Sequence, residues 1–370
     1  MTAASRLGVP GTLLAATLLV PAAAAARYVF GAPPLLVFVA GGLAIAVLAE
    51  WMRRATEQVS AKAGPALGGL LNVSFGSAAE LILALFVVAG GHPEVVRAQI
   101  TVSIIGTSLL GLGLACLVGG WRRKKQTFSV ARAGLQSSLL LLVTLALLLP
   151  AVFDRADMAR AASAAVRAAS EQKLSIGVAL LLLLLYGGYL VFTLVTHRDV
   201  FARTDGEEGG EGGGARWSLP LTLGVLVVAT LAVAGCAEFV SDALQAAAAS
   251  LRLPLLFVGT VPLALIGTAA DLFAAVSFGR QDRMGLVMSI CVGSSIQVGL
   301  VLAPLLVLIG WASGHPMTLV FPGVLDLFAI AGATFATRSI AADGETNWFE
   351  GLLLVGVYVL LALAFYFVAP

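Results

Sequence analysis

GGLLNVSFGSAAELILALFVVAG, residues 68–90, is apolar enough to cross a bilayer, yet it carries a carboxylate, Glu80, near its middle. An acid at that depth costs about 2.5–3.5 kcal/mol even on lenient insertion scales. A helix that merely faces lipid would not carry that penalty. Gly68, Gly69 and Gly76 lie upstream, interleaved with Asn72, Ser74 and Ser77. Glycine weakens a helix and admits close backbone approach, and small polar side chains satisfy freed backbone groups or ligate an ion. The stretch reads as a broken or tightly packed helix presenting oxygens to a hard cation.

A second stretch repeats the design: GTVPLALIGTAADLFAAVSFG, residues 259–279. Phe75-Gly-Ser-Ala-Ala-Glu80-Leu aligns with Ile266-Gly-Thr-Ala-Ala-Asp271-Leu. The surroundings repeat as well. Glu57 lies at the end of the second apolar run and Glu238 within the seventh; Trp121 closes the fourth run and Trp311 the ninth. The offsets are 181 between Glu57 and Glu238, 191 between Glu80 and Asp271, and 190 between the tryptophans.

Of the 370 residues, 59% are hydrophobic and 11% charged, against about 25% charged in soluble domains. The apolar runs are long and continuous, which excludes a soluble domain and argues against a β-barrel of short alternating strands. The expectation is an all-α polytopic membrane protein with eleven spans. They run at about 8–28, 35–55, 66–90, 95–120, 128–152, 174–196, 217–245, 253–278, 285–311, 318–337 and 347–368, each long enough for a core of about 30 Å. Residues 1–34 form an N-terminal helix, 35–203 and 217–370 two five-helix repeats, and 204–216 an acidic glycine-rich linker. The linker's flexible composition reads as a solvated loop rather than a regulatory site. An odd number of helices per repeat inverts the second copy in the membrane, the plan of many secondary transporters.

The N-terminal run, with one early Arg6 and Pro21 before an alanine run, also fits a signal peptide cleaved near Ala26; a retained first helix is the reading adopted. Fourteen of the 22 Lys and Arg fall on the N-terminal side and seven on the other, with Arg132 just inside a span. That bias predicts a cytoplasmic N-terminus and, for this integral protein, the cell (inner) membrane. The dissenting charges concentrate in the 153–173 segment, read as an irregular or amphipathic external loop. Cys116, Cys236 and Cys291 lie inside apolar runs without disulfide or zinc spacing. His92, His197 and His315 fall in loops and read as solvated.

The candidate site residues follow from the repeat. Glu80 and Asp271 are central acids, with Glu57 and Glu238 nearer span ends. Hard divalent cations take oxygen ligands; two buried carboxylates cannot both stay ionised cheaply without one. The site then holds a cation or protons, which is the physical basis of exchange. Asn72, Ser77 and Thr268 flank the acids. Ser103, Thr107 and Ser108, with Ser294, Ser295 and Gln297 in GSSIQ, supply further oxygens. Asp343, Glu345, Asn347 and Glu350 read as helix-start residues.

These residues resemble the calcium/cation antiporter superfamily, in its cation/proton exchanger branch. ATEQVSAKAGPALGGLLNVSFGSAAELI (55–82) and IGTAADL (266–272) are similar to its two signatures; GSSIQVGLVLAPLLVLIGW (293–311) and DGETNWFEGLLLVGVYVLLALAFYF (343–367) are also similar. The resemblance covers about residues 11–370. It implies inverted five-helix repeats and exchange of Ca2+ for H+, with Glu80 and Asp271 at the positions of the central acids. Glu57 and Glu238 stand at positions associated with ion entry. Four departures bear on selectivity: Ser77 and Thr268 stand where the family carries asparagine, Asp271 where it carries glutamate, and Leu272 where it carries histidine. Thr107 likewise replaces an asparagine in span four. Ca2+ and H+ are the expected substrates, with the lipid bilayer as partner, no cofactor and no nucleic acid. A proton- or sodium-coupled exchanger of Mn2+, Mg2+, K+ or Na+ is the alternative. A channel is disfavoured weakly by the paired acids. An enzyme lacks any HExxH, Gly-x-Gly-Asp or serine–histidine pair at helix depth.

Overall fold

The computed structural model describes residues 11–158, 164–196, 217–321 and 323–368; side chains of residues 61, 63–75, 156–158, 164, 194, 256, 259, 260 and 368 lie outside what it describes. The linker 204–216 and the Asn72 side chain fall outside it.

In chain order the helices are α1 (Gly11–Ala16), α2 (Leu19–Tyr28), α3 (Pro34–Gly76), α4 (Ala78–Ala89), α5 (Pro93–Ile105), α6 (Leu112–Gly120), α7 (Val130–Met158) and α8 (Ala164–Val191). There follow α9 (Leu219–Leu251), α10 (Leu255–Val258), α11 (Ala264–Arg280), α12 (Met284–Gln297), α13 (Ala303–Ala312), α14 (Val324–Ala341) and α15 (Trp348–Val368). Wider π turns join α5 to α6 (Gly106–Gly111), α10 to α11 (Gly259–Leu263) and α12 to α13 (Val298–Leu302). Pro262 sits inside one of them; it lacks an N–H and cannot complete a regular helical turn. Ten helical stretches among the described residues are long and apolar enough to cross a membrane, and α4 is a shorter apolar helix. This is an all-α polytopic membrane protein.

Three expectations are corrected. The second and third spans are not separated by a loop near 56–65: α3 runs unbroken for 43 residues, about 65 Å at 1.5 Å per residue. ATEQVSAK (55–62) is made of residues that tolerate a helix, and Glu50 ties Arg53 and Arg54 at i+3 and i+4. The break comes instead at Ser77. The 153–173 segment is mostly helical. Its Ala-rich stretch lengthens α8, Arg167 pairs with Asp154 at 2.9 Å, and only residues 159–163 are undescribed. The tenth span starts at Val324, not near 318; Gly323 just before it is extended, and the Leu319 amide donates to the Ser175 hydroxyl at 3.0 Å. A two-residue ladder was also not foreseen: β1 (Gln126–Thr127) pairs antiparallel with β2 (Glu345–Thr346).

The chain forms two compact units, each drawn from both sequence halves: residues 1–86 with 189–255, and 87–188 with 256–370. In the first, α3 and α9 form the principal packing. Lys62 donates to the Trp217 carbonyl near one end; near the other, a Cβ on Gly41 would strike Val240 and Phe239. Residue numbers rise on one helix as they fall on its partner, so the pair is antiparallel.

The second unit is built on α5–α6 and α12–α13, the most buried spans: 83% and 67% of their most apolar windows are covered. Gly111 faces Cys291, and Thr107 faces Ser295. This pair too is antiparallel, and its helices start at Pro93 and Met284, 191 residues apart. Equivalent helices of the two sequence repeats thus run in opposite directions within each unit.

Small residues let α6 act as a hub. A Cβ on Gly279 of α11 would stand 2.5 Å from the Ala115 carbonyl oxygen, and one on Gly113 2.9 Å from that of Gly351 in α15. With no hydrophobic force between helices in lipid, such close backbone approach is what holds them.

Candidate cation site

Asp271 sits two turns into α11, after the Pro262 π turn. The Ser294 hydroxyl of α12 donates to its carboxylate at 2.6 Å, in the range of a charge-assisted bond. Thr268, one turn before Asp271, is buried and donates to the Ala264 carbonyl of its own helix at 3.0 Å. Its single proton is thereby used, which leaves the hydroxyl oxygen as an acceptor or ligand.

Beside this pair lies a hydroxyl junction. Thr107 and Ser295 approach to 2.8 Å. Thr107 also reaches the Ser103 carbonyl at 2.8 Å, and Ser295 reaches the carbonyls of Cys291 at 3.0 Å and Ile104 at 3.2 Å. Each hydroxyl has one proton, so the junction has two alternative orientations, with Thr107 or Ser295 as donor to the other. Ser108 is buried and bonds back to its own helix, and Thr337 of α14 donates to the Ser108 carbonyl at 3.4 Å. Thr107 and Ser108 lie within the Gly106–Gly111 π turn, and Ser295 stands three residues before the Val298–Leu302 π turn. Such turns release backbone oxygens from the regular ladder and recur at functional sites. Gln297, the last residue of α12, is half-buried.

Glu80 is buried, 3% exposed, in the first turn of α4, just past the Ser77 break. It belongs to the first unit and Asp271 to the second. Glu57 and Glu238 are both exposed. Glu57 is ion-paired with Arg53, and the register of α3 on α9 sets it roughly 16 residues, about 24 Å, from the level of Glu238. The structure therefore joins Asp271 to Ser294, and Ser295 to Thr107, and keeps Glu57 apart from Glu238. No group of three or more His, Cys, Asp or Glu side chains is placed to hold a metal among the described residues.

One residue escaped sequence reasoning. Gln99 is 1% exposed on α5, and neither polar atom of its side chain has a hydrogen-bond partner among the described residues. It stands four and eight residues before Ser103 and Thr107, on the same helix face. Its position inside an apolar span was the available signal; a single glutamine carries no periodicity.

The fold places the chain among polytopic membrane proteins built from paired, oppositely running helical repeats. Residues 33–195 and 221–367 match the sodium/calcium exchanger protein family, and the chain belongs to it. It is similar to a Ca2+/H+ antiporter of Synechocystis sp., 41% identical over 344 residues and covering 90% of this chain and 91% of the relative. A Ca2+/H+ antiporter of Aphanothece halophytica is 38% identical over 342 residues, with 90% of each chain covered. Among solved structures, a crystal structure of the Ca2+/H+ antiporter protein YfkE superposes with a TM-score of 0.80 at 30% identity, covering 97% of this chain and 100% of that one.

Proposed function

We propose that this protein exchanges Ca2+ for H+ across the membrane by alternating access, with Glu80 and Asp271 as the central acids. The observation that carries the reading is the Asp271–Ser294 pair beside the Thr107–Ser295 junction. It gathers a carboxylate and several hydroxyl oxygens on three spans, each interrupted by a π turn. The Ca2+/H+ antiporter relatives support the choice of ions.

The carboxylates and hydroxyls bind a dehydrated divalent cation. When it leaves, protons neutralise the acids, so the loaded and the protonated forms cross and the bare anionic form does not. Thr268, Ser77, Asn72, Ser295 and Gln297 are assigned as supporting ligands or as residues orienting them. Glu57 and Glu238 are assigned to ion entry, in keeping with their exposure. Residues 35–203 and 217–370 are the two repeats, after an N-terminal helix and on either side of the 204–216 linker. The protein resides in the cell (inner) membrane with its N-terminus cytoplasmic, following the Lys and Arg bias.

The second reading is an exchanger of Mn2+, Mg2+, K+ or Na+. It is favoured by Ser77, Thr268 and Asp271, which are shorter than the side chains of the family motif. The test is flux into proteoliposomes under an imposed pH gradient, with each of the five cations offered separately. Ca2+ entry well above empty vesicles, lost in Glu80→Gln and in Asp271→Asn, is the expected result. Gradient-driven flux of another cation without Ca2+ would replace the first reading by the second.

A further inference from the structure

We propose that a basic hollow at one end of α6 and α11 is a binding site for the phosphate-bearing headgroup of an anionic membrane lipid. The hollow, about 760 Å3 and open to the outside, is lined by Leu117, Val118, Trp121, Arg122, Arg123 and Arg280. That volume is within the range of small-molecule sites.

Its charges come from two separate connections, one after α6 and one at the end of α11. Arg123 is anchored: it donates to the Gly119 carbonyl at 2.7 Å and the Arg280 carbonyl at 3.4 Å, and pairs with Asp282 at 3.4 Å. Neighbouring Lys125 is paired with Glu345 at 2.7 Å. Arg122 and Arg280 are exposed and have no acidic partner among the described residues. A cation at a helix C-terminus is ordinary, and basic loops are ordinary on the cytoplasmic side. Neither accounts for two unpartnered guanidiniums converging on one cavity with an anchored third.

The cavity is amphipathic in the sense a lipid requires. Leu117 and Val118 give it an apolar wall from the spanning helix, and Arg122, Arg123 and Arg280 bring guanidiniums to the same lining. Trp121 packs against Trp348 with ring centroids 6.2 Å apart, and the two are 70% and 42% exposed. Exposed tryptophans at span ends mark headgroup depth. A free phosphate would use the guanidiniums and leave the apolar wall empty; a phospholipid uses both. Basic pockets between helices on this side bind anionic headgroups in other membrane proteins.

The experiment is native mass spectrometry of the full chain in detergent, titrated with phosphatidylglycerol or phosphatidylcholine, and repeated with inorganic phosphate as competitor. Wild type is expected to retain phosphatidylglycerol preferentially. Affinity falls about fivefold for Arg122→Gln or Arg280→Gln, and on the order of 25-fold for the double variant. Phosphatidylcholine adducts and millimolar inorganic phosphate leave these values unchanged. Wild-type phosphatidylglycerol retention in the double variant overturns the proposal, as does displacement by inorganic phosphate. Should the double variant fail to fold, Arg122→Gln, on an exposed loop, decides by its own fivefold loss. The outcome does not depend on which cation is transported.

Discussion

The hydroxyl of Ser294 on α12 is hydrogen-bonded to the carboxylate of Asp271 on α11 at 2.6 Å. An acid in a spanning segment is costly; here it is held by a partner 23 residues away, on the helix that carries GSSIQ. The bond fixes the orientation of the carboxylate relative to α12.

Ser294→Ala removes that donor and leaves Asp271 in place. Bonds to charged groups are worth about 1.5–3 kcal/mol, so the apparent KM for Ca2+ should rise by roughly tenfold or more, measured as initial uptake rates. An unchanged KM would make Ser294 a packing residue.

Thr107 and Ser295 form their junction inside the second unit, away from solvent. In membranes such bonds average about 0.6 kcal/mol, with a maximum near 1.7. Thr107→Ala and Ser295→Ala, alone and together, should show a coupling in that range when stability is read by unfolding in detergent. Strict additivity would mean the two hydroxyls do not interact.

Glycines of the α6 hub should be intolerant of a single methyl. Gly279→Ala must displace the Ala115 backbone, and Gly113→Ala the Gly351 backbone; overpacking of this kind costs about 1–3 kcal/mol. Gly187→Ala and Gly224→Ala, with nothing within 4 Å of the added carbon, should be neutral or slightly stabilising. Melting temperatures of the four variants test the contrast.

Gln99 is buried with an unsatisfied amide, a cost of about 1–3 kcal/mol. Gln99→Leu should therefore leave the protein as stable as wild type or more so. If the amide serves the ion on the face it shares with Ser103 and Thr107, Ca2+ flux in the same variant should fall several-fold. Stability gained with flux intact would make Gln99 a passive core residue.

Proton competition sets the sign of the pH dependence. Carboxylates must be deprotonated to bind metal, and binding releases protons. Lowering pH on the side from which Ca2+ is taken up should raise the apparent KM, by at most about tenfold per pH unit for each proton displaced. Saturating Ca2+ should restore the maximal rate. A KM that does not move between pH 6 and 8 would separate Ca2+ binding from acid titration.

Much of this was legible in one dimension. Hydropathy marked the spans because an unsatisfied backbone cannot sit in lipid, and Glu80 and Asp271 stood out because charge there is expensive. The 191-residue offset anticipated two copies, and Pro93 and Met284 begin equivalent helices at that spacing. What hydropathy misplaced were helix ends. ATEQVSAK and the Ala-rich 164–169 are polar or weakly apolar yet good helix formers, so α3 and α8 extend beyond their apolar runs. A helix is set by backbone bonding, and a hydropathy window measures only side-chain transfer.

The sequence alone determined the solvent this protein lives in, its repeated plan and the identity of its intramembrane acids, because each follows from side-chain chemistry counted along the chain. Which hydroxyl meets Asp271, which glycines touch across α6, and that Glu57 and Glu238 stand far apart were decided only by the tertiary structure. Those relationships depend on how helices pack and in what register, which no local pattern encodes, whether the partners stand 23 residues apart, as Asp271 and Ser294 do, or 181, as Glu57 and Glu238 do.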